Sequence, residues 1–185
     1  RVRDTLNALH ELARWHLKRF EIKTVSITGS NGKTTTKEIL KEILSSQGAT
    51  VYNPGNLNNE YGLPLSVLNA LEKHKYGVFE IGSSSEGEVK KLARIIKPDI
   101  AIITTISPEH LEFFKTMRNI FRTETEVIKE MKPDGAIIIN GDDEYLKKLK
   151  KLKNVISFGF SRNNDLVIAL NKNNSVFEYR GKKYA

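Results

Sequence analysis

The feature that most constrains this chain is the stretch VSITGSNGKTTT, which runs from residue 25 to residue 36. A β-branched run ends at Thr28, a loop with two glycines follows, and a helical pattern begins at Lys33. A strand, a tight loop and a helix start leave several backbone N–H groups pointing into one concavity, where the helix dipole also favours negative charge. The sequence therefore predicts a phosphate-binding loop after the first strand.

The residues of this loop have separate predicted roles. Gly29 and Gly32 let the backbone turn tightly and approach a ligand closely. Lys33 is predicted to contact a β- or γ-phosphate as a point charge, and the Thr34 hydroxyl to bind a magnesium ion that bridges the same phosphates. The predicted nucleotide-contacting residues of the loop are Gly29, Ser30, Asn31, Gly32, Lys33, Thr34 and Thr35.

The loop departs from the general nucleotide-binding pattern at one position. That pattern requires a glycine five residues before Gly32, where this chain has Ile27. The part that performs the chemistry, Gly-Lys-Thr between a strand and a helix, is retained. The alternative interpretation is a strand-to-helix turn with an incidental lysine.

Short apolar runs alternate with helical patterns along most of the chain. The predicted strands cover 24–28, 50–52, 77–81, 99–104 and 136–140, and the predicted helices cover 4–20, 33–46, 64–71, 86–96 and 116–131. Runs such as IAII and AIII are apolar throughout, which is typical of strands buried on both faces of a parallel sheet. We therefore predict an α/β fold, a doubly wound and mostly parallel sheet with the phosphate-binding loop at its ligand edge. Strand-like runs at 155–158, 166–170 and 176–179 predict a small antiparallel extension at the C-terminal end.

The first two helices carry more specific predictions. Asp4 is the predicted N-cap of the leading helix. His10 on that helix is predicted to be a surface or half-buried residue rather than a metal ligand, because no carboxylate or second histidine accompanies it at metal-site spacing. The predicted inner face of the second helix consists of Ile39, Leu40, Ile43 and Leu44.

Composition narrows the classes of function. The formal net charge is +8, but the lysines are spread through helical segments with few interleaved aromatics, so solvated helix faces are favoured over a nucleic-acid partner. No apolar run approaches the roughly 20 residues that span a bilayer, and no signal-peptide pattern opens the chain. We therefore expect a cytoplasmic protein with no membrane partner. Because the chain has no cysteine, disulfides and thiolate catalysis are excluded.

Polar residues that follow buried strands are the candidates to complete a nucleotide site, since the carboxyl ends of the strands meet in one crevice. Glu80 ends an apolar strand and is either a magnesium ligand or an interior ion-pair partner. His110 lies near the same edge and is either functional or a structural histidine. Asn140 either hydrogen-bonds an adenine edge or only forms an Asn-Gly turn. The amide-rich loop 53–64 suits recognition of a polar substrate or an outer phosphate.

Five segments resemble, in order and approximate spacing, the motifs of the Mur ligases. They are TGSNGKTT at 28–35, NLNNEYGLP at 56–64, EIGSSSEGEV at 80–89, ISPEHLE at 106–112 and NGDD at 140–143. The resemblance covers essentially the whole chain and is strongest to the MurF type. It implies the family's central ATP-binding domain at 23–185, with 1–22 as a leading helix or interdomain linker. The family's loop is a shortened variant of the general one, which accounts for Ile27.

The resemblance implies an ATP-dependent, ADP-forming amide ligase of peptidoglycan precursor synthesis. ATP would phosphorylate the carboxylate of a UDP-MurNAc-tripeptide, and the amine of D-alanyl-D-alanine would attack the acyl phosphate. The chain begins with Arg1 and has neither the N-terminal nor the C-terminal domain of the family, which predicts a piece of a longer protein. We expect it to be monomeric, to bind nucleotide weakly and to have little or no ligase activity in isolation.

Roles for individual residues follow from the resemblance by position. Lys33 would stabilise the transferring γ-phosphate, and Thr34 and Glu80 would bind the first magnesium ion. His110 would bind a second one, so the implied catalytic residues are Lys33, Glu80 and His110. Asn59 would lie near the phosphate and the precursor, and Asn140 would contact adenine.

Two positions depart from the family pattern. Where the family has a lysine that becomes carbamylated, this chain has Glu124 within TETE. Glu124 offers a carboxylate on a shorter arm, and we hypothesise that it serves the second magnesium ion through a bridging water. The alternatives are an offset alignment or loss of that step. The second departure is Thr105, where the family has an asparagine before the His110 motif.

Three rival functions stay open from the sequence. One is another ligase of the superfamily, of the folylpolyglutamate or MurE type, although NLNNEYGLP favours the MurF type. A second is a non-catalytic nucleotide-binding module, which Glu124 and the missing domains favour. The third, nucleic-acid binding through the basic surface, predicts an affinity with a steep salt dependence.

Overall fold

The computed structural model describes residues 1–108, 111–170, 175–179 and 181–184. The strands are β1 Lys23–Thr28, β2 Thr50–Tyr52, β3 Tyr76–Glu80, β4 Ile100–Ile103, β5 Ala136–Asn140, β6 Val155–Gly159, β7 Leu166–Leu170, β8 Ser175–Tyr179 and β9 Lys182–Tyr184. The α-helices are α1 Thr5–Leu17, α2 Lys33–Ser45, α3 Gly62–Val67, α4 Glu88–Ile96, α5 Leu111–Phe114 and α6 Met117–Glu124. Two 3₁₀-helices cover Thr125–Glu130 and Leu146–Lys151.

The described strands form one sheet in the order β2-β3-β1-β4-β5-β6-β7-β8-β9. Strands β2 to β7 pair in parallel, and β8 and β9 are antiparallel to their neighbours. The chain runs from β1 to β2 and β3 on one side and then crosses to β4 on the other, so the order reverses beside β1. In open α/β sheets, ligands bind at such a switch point, outside the carboxyl ends of the strands.

The register of β1 places the predicted site residues at one level of the sheet. Ile27 pairs with Glu80 on one side, and Thr28 pairs with Ile103 on the other. The phosphate-binding loop, the end of β3 and the segment after β4 therefore leave the sheet at the same edge.

The predicted doubly wound, mostly parallel fold is confirmed, with two local differences. Strand β6 pairs in parallel with β5 and β7, so the antiparallel extension consists of β7, β8 and β9 and not of β6. The predicted helix 116–131 is α-helical only to Glu124 and continues as a 3₁₀-helix. The Thr125 hydroxyl donates to the Phe121 carbonyl at 2.7 Å, and such back-bonding competes with regular helical geometry.

The prediction for the inner face of α2 is half wrong. Leu40 and Leu44 pack against the cluster formed by Val25, Ile27 and Val78, as expected. Ile39 and Ile43 are instead 57% and 56% exposed. The inward stripe passes through the fully buried Lys37 and then Leu40 and Leu44, at helical spacing. The predicted inner face was based on apolar residues alone and could not include a lysine. It is therefore rotated about the helix axis relative to the observed inner face.

Helix α1 packs on α3 and α4 on the opposite face of the sheet from α2. The Asp4 side chain accepts a hydrogen bond from the Asn7 backbone at 3.0 Å and caps the helix, as predicted. His10 is half-buried, with its Nε2 2.7 Å from the Glu60 carbonyl, and His16 contacts the Ala70 carbonyl at 2.8 Å. Both histidines thus hydrogen-bond α1 to the residues that flank α3. No helix among the described residues has the length and apolarity to cross a membrane.

Alanine substitutions on α2 test which of its faces is buried. We expect Leu40→Ala to lower the free energy of unfolding by about 1–3 kcal/mol, because it removes packing against the sheet. Ile39→Ala, one residue away and exposed, is the matched control and is expected to change it by less than about 1 kcal/mol. Urea denaturation measures both, and equal losses would contradict the assigned face.

Candidate functional site

The loop after β1 has two glycines with positive φ, for different reasons. Gly29 has φ +116°, and a Cβ there would lie 2.3 Å from Thr104 Oγ1 and 2.9 Å from the Thr104 amide nitrogen. Gly32 has φ +82° and is the N-cap of α2, with no described residue within 4 Å of the position of a Cβ. The start of the loop is therefore packed tightly against the residues that follow β4, whereas its end has no such contact with the described residues, and there the N-terminus of α2 favours an anion.

The side chains of the loop are hydrogen-bonded to the segment after β4. The Ser30 backbone donates to the Thr105 carbonyl at 2.8 Å, and the Ser30 hydroxyl donates to the Ser107 carbonyl at 3.0 Å. Asn31 Nδ2 donates to the Ser107 hydroxyl at 2.5 Å, and its backbone N–H donates to Thr105 Oγ1 at 3.3 Å. The side chains of Ser30 and Asn31 are thus already hydrogen-bonded within the protein. Their predicted contacts with a nucleotide therefore depend on the exposed side of the loop.

The side chain of Lys33 folds back over the phosphate-binding loop that precedes it. Its ammonium donates to the Gly29 carbonyl at 2.5 Å and to the Ser30 carbonyl at 3.2 Å. Thr34 and Thr35 are exposed in the first turn of α2. Lys33 also lines a cavity of about 220 Å³ with Asn59 and Ser84. The lysine predicted to bind phosphate thus contacts the loop and also lines this cavity.

Glu80 is the buried carboxylate of the site and is 2% exposed. Its Oε1 accepts a hydrogen bond from Asn58 Nδ2 at 2.8 Å. Its Oε2 is buried without a hydrogen-bond partner among the described residues and lies 3.8 Å from Lys37 Nζ. The sequence left two alternatives for Glu80, and the structure shows the interior ion pair while leaving one oxygen able to accept a further ligand. An orphaned carboxylate oxygen beside a phosphate loop fits a hard cation such as magnesium.

The sequence analysis did not single out Lys37 or the amide that joins it to Glu80. Lys37 Nζ donates to the Asn53 carbonyl at 3.0 Å and to the Gly55 carbonyl at 2.7 Å. Asn53 accepts a hydrogen bond from the Glu80 backbone N–H and donates to the Glu80 carbonyl, both at 2.9 Å. The signal that could have identified Lys37 was its position on the inward stripe of an amphipathic helix, one turn after Lys33.

Glu124 lies on the other side of the loop and is 1% exposed. One carboxylate oxygen accepts a hydrogen bond from the Gly29 backbone N–H at 2.5 Å, and the other from the Ser83 hydroxyl at 2.6 Å. The Thr28 hydroxyl donates to the Glu124 carbonyl at 3.1 Å. The structure therefore brings Glu124 to the predicted site, between the phosphate loop and the segment after β3. Its role toward a metal stays a prediction.

The other predicted site residues have structural contacts of their own. Asn59 Oδ1 accepts hydrogen bonds from the backbone of Tyr61 and Gly62, at 3.1 and 2.8 Å, at the start of α3. Asn140 Oδ1 accepts a hydrogen bond from the Asp142 backbone at 3.1 Å, and this is the turn that was predicted as the alternative to adenine binding. His110 lies outside the described residues. The adenine contact of Asn140 and the precursor contact of Asn59 stay predictions.

The two aspartates after Asn140 hold neighbouring segments together. Asp143 accepts a hydrogen bond from the Ile106 backbone at 2.8 Å and so fixes the chain after β4. Hydrogen bonds from Ser161, Asn164 and the Phe160 backbone lower the pKa of Asp142 to about 2. These aspartates join the segments that follow β4, β5 and β6 at the ligand edge.

The arrangement defines the class of the protein as an α/β domain with a strand–loop–helix of the P-loop kind. A strand, a loop with two positive-φ glycines and a helix with Lys33 and Thr34 form the side of the site that the sequence predicts to bind phosphate. Glu80 adds a buried carboxylate oxygen at the same edge. Such sites perform phosphoryl transfer by positioning and charge neutralisation and need no protein nucleophile.

Comparison with known proteins identifies the family. A family model described as the Mur ligase middle domain matches residues 27–184, and the chain therefore belongs to the Mur ligase family. The UDP-N-acetylmuramoyl-tripeptide--D-alanyl-D-alanine ligase of Borreliella burgdorferi is 43% identical over 125 residues, which are 68% of this chain and 27% of that protein. The enzyme of the same name from Bacillus subtilis is 39% identical over 127 residues, 69% of this chain and 28% of that protein.

Solved structures give the same family. A MurF ligase from Thermotoga maritima in complex with ADP superposes with a TM-score of 0.89 at 35% identity, covering 99% of this chain and 44% of that chain. A MurF structure from Acinetobacter baumannii has a TM-score of 0.86 at 33% identity, covering 96% of this chain and 40% of that one. The resemblance inferred from the sequence motifs is confirmed. The chain spans less than a third of the length of the curated relatives it matches.

Substitution of the two loop glycines tests the packing of the loop. Gly29→Ala is expected to lower the free energy of unfolding by about 2–5 kcal/mol, because a Cβ overlaps Thr104 and the positive φ is strained. Gly32→Ala carries only the backbone strain and is expected to cost roughly 1–2 kcal/mol. Chemical denaturation compares the two variants, and a larger loss at Gly32 would contradict the described geometry.

The lowered pKa of Asp142 predicts a pH dependence of stability. Because its folded-state pKa of about 2 lies below the ordinary value of 3.8, the carboxylate stabilises the fold at higher pH. That contribution is lost as the pH falls through the folded-state pKa. We expect the difference in free energy of unfolding between the wild type and Asp142→Asn to shrink from about pH 5 to about pH 2. Urea denaturation across this range measures it, and a constant difference would be inconsistent with the lowered pKa.

Proposed function

We propose that this chain is the central ATP-binding domain of an ADP-forming ligase that adds D-alanyl-D-alanine to a UDP-MurNAc-tripeptide. The observation that carries the proposal is the placement of the phosphate loop and the orphaned Glu80 oxygen at one sheet edge. Relatives at 35–43% identity that carry this ligase's name support the choice of substrates. The proposed domain covers residues 23–185, with 1–22 as a leading helix or linker.

The nucleotide is proposed to bind with its outer phosphates against the loop and the N-terminus of α2. Lys33 would exchange its contacts with the Gly29 and Ser30 carbonyls for phosphate oxygens. Backbone N–H groups at the open side of Gly32 would add further donors. The Thermotoga maritima relative was solved in complex with ADP, which supports nucleotide binding. Asn140 is proposed to contact the adenine.

Thr34 and Glu80 are the residues proposed to hold a magnesium ion. The chemistry of the donors fits, since an exposed hydroxyl and a carboxylate oxygen without a hydrogen bond are both hard oxygen ligands. When bound, the ion supplies positive charge that neutralises the phosphate oxygens and orients them. His110 and Glu124 are proposed for a second ion, with Glu124 acting through a water because both of its oxygens already accept hydrogen bonds.

The proposed reaction has two steps. The tripeptide carboxylate attacks the γ-phosphorus of ATP, the bond to the β-phosphate oxygen breaks, and an acyl phosphate and ADP are formed. The D-alanyl-D-alanine amine then attacks the acyl carbon, the bond from that carbon to the phosphate oxygen breaks, and phosphate leaves with the proton that the amine loses as the amide forms. Lys33 would stabilise the charge on the transferring phosphoryl group in the first step. Asn59, which lines the same cavity as Lys33, is proposed to contact the precursor.

The cellular setting is part of the same proposal. A ligase acting on nucleotide-linked precursors and ATP belongs in the cytoplasm, and we propose a monomer with no nucleic-acid partner.

Among the rivals, folylpolyglutamate-type ligases share the fold, since an Escherichia coli FolC structure has a TM-score of 0.69 at 13% identity. Identity that low supports the fold alone, whereas the D-alanyl-D-alanine ligases match at 35–43%.

Nucleotide binding by this chain tests the proposal directly. A non-hydrolysable ATP analogue is expected to bind in calorimetric titrations, more tightly with magnesium than with EDTA. Lys33→Met is expected to weaken binding by about tenfold or more, because it removes the charge that contacts the phosphates. Lys41→Met, two turns along the same helix and paired with Glu38 and Glu42, is the control and should bind as the wild type does. Absence of binding by the wild type would contradict the proposed function.

The substrates are tested in the longer protein that contains this chain. Phosphate release there is expected to require UDP-MurNAc-tripeptide, ATP and D-alanyl-D-alanine together, and to fall to background with glutamate as the amine. The chain alone should release little phosphate. A glutamate-dependent reaction would favour the folylpolyglutamate-type rival, and binding without turnover in the longer protein would favour a non-catalytic nucleotide-binding module.

A further inference from the structure

Lys37 is a fully buried lysine that none of the proposed reaction steps uses. It is 0% exposed and lies on the stripe of α2 that faces the sheet, next to Leu40. Removing an ammonium from water is costly unless a counter-charge and hydrogen bonds compensate for it. An apolar residue would fill the same position without that cost. The burial of Lys37 therefore indicates that its charge has a role in the surrounding site.

The Lys37 ammonium donates hydrogen bonds to two backbone carbonyls and lies near two carboxylates. Its Nζ donates to the carbonyls of Asn53 and Gly55, at 3.0 and 2.7 Å. Glu38 Oε1 lies 3.2 Å away at the surface, and Glu80 Oε2 lies 3.8 Å away in the interior. The contact with Glu80 is longer than a hydrogen bond. The two carbonyls thus hold the ammonium near Glu80 without bringing it into hydrogen-bonding distance.

This geometry leaves the two oxygens of Glu80 unequal. Asn58 donates to Oε1, whereas Oε2 has no hydrogen bond within the described part of the chain. Asn53 fixes the Glu80 backbone on both its N–H and its carbonyl side. The carboxylate is consequently oriented by loop 53–58, while the oxygen nearest to Lys37 keeps its lone pairs.

We propose that Lys37 is a positioning residue for the cation-binding carboxylate. It supplies the positive charge that allows Glu80 to be buried, and because the Asn53 and Gly55 carbonyls hold it back, Glu80 Oε2 stays available to a divalent cation. Lys37 acts through Glu80 and contacts neither the cation nor the nucleotide. This inference rests on the proposed function.

The competing explanation is that Lys37 only joins loop 53–55 to α2. Two substitutions separate the explanations, because Lys37→Gln retains amide donors for the carbonyls and removes the charge, whereas Lys37→Met removes both. A purely structural role predicts that Lys37→Gln behaves more like the wild type. A charge-compensating role predicts that both variants are impaired toward the cation.

The decisive measurement is the gain in affinity for the ATP analogue on adding magnesium, obtained by calorimetry with magnesium and with EDTA. We expect this gain to fall by about tenfold or more in Lys37→Met and Lys37→Gln, as is usual when a residue supporting a metal ligand is removed. Affinity in EDTA should stay within about twofold, since Lys33 and the loop are unchanged. Lys41→Met on the same helix is the control and should keep the full gain.

Thermal unfolding gives a second test that needs neither nucleotide nor metal. Lys37→Met leaves Glu80 buried without its counter-charge and should lower the melting temperature. Adding Glu80→Gln should restore part of the loss, so that the double variant melts above Lys37→Met. If Lys37→Met does not fold, recovery of a folded protein in the double variant has the same meaning.

The outcomes separate this inference from the proposed function. No nucleotide binding by the wild type would contradict the proposed function. A full magnesium-dependent gain in Lys37→Met or Lys37→Gln would overturn only the positioning role. A double variant no more stable than Lys37→Met would overturn the charge compensation.

Discussion

Burial of the Glu80 carboxylate is the interaction on which most of the site depends, because a charged group inside a sheet must be compensated from several directions. Lys37 supplies the charge from α2, Asn58 binds one oxygen, and Asn53 binds the backbone on either side. The same contacts order loop 53–58 and connect it to the helix that begins at the phosphate loop. The amide-rich loop, the helix and the end of β3 are therefore one hydrogen-bonded unit, and a change at Glu80 affects all three.

Glu124 has a comparable place on the opposite side of the loop. Its two oxygens bind the Gly29 backbone and the Ser83 hydroxyl, so it ties the start of the phosphate loop to the segment after β3. Two buried carboxylates thus flank a loop whose lysine and helix N-terminus are positive. This distribution of charge suits a site in which phosphate and a cation bind together, since each requires the opposite charge near it. Within the described part of the chain, one oxygen of Glu80 accepts no hydrogen bond, whereas both oxygens of Glu124 accept hydrogen bonds that hold the loop.

Local sequence signals predicted much of the fold and the loop. The bounds of β5, the Asp4 cap and the start of α2 at Lys33 all agree with prediction, because each depends on neighbouring residues. The face of α2 was mispredicted at Ile39 and Ile43, since burial of Lys37 depends on Glu80, which is distant in sequence. For the same reason the parallel pairing of β6 with β7 could not be read from their own segments.

The sequence by itself determined the strand–loop–helix that is predicted to bind phosphate, because glycine, lysine and threonine at fixed spacing impose that geometry locally. It also determined the alternation of apolar strands and helices from which the doubly wound sheet follows. Only the tertiary structure decided which oxygen of Glu80 accepts no hydrogen bond from the described residues and that Lys37 lies beside it. The physical reason is that burial and hydrogen bonding at one point are set by chain segments that meet only when the sheet is assembled.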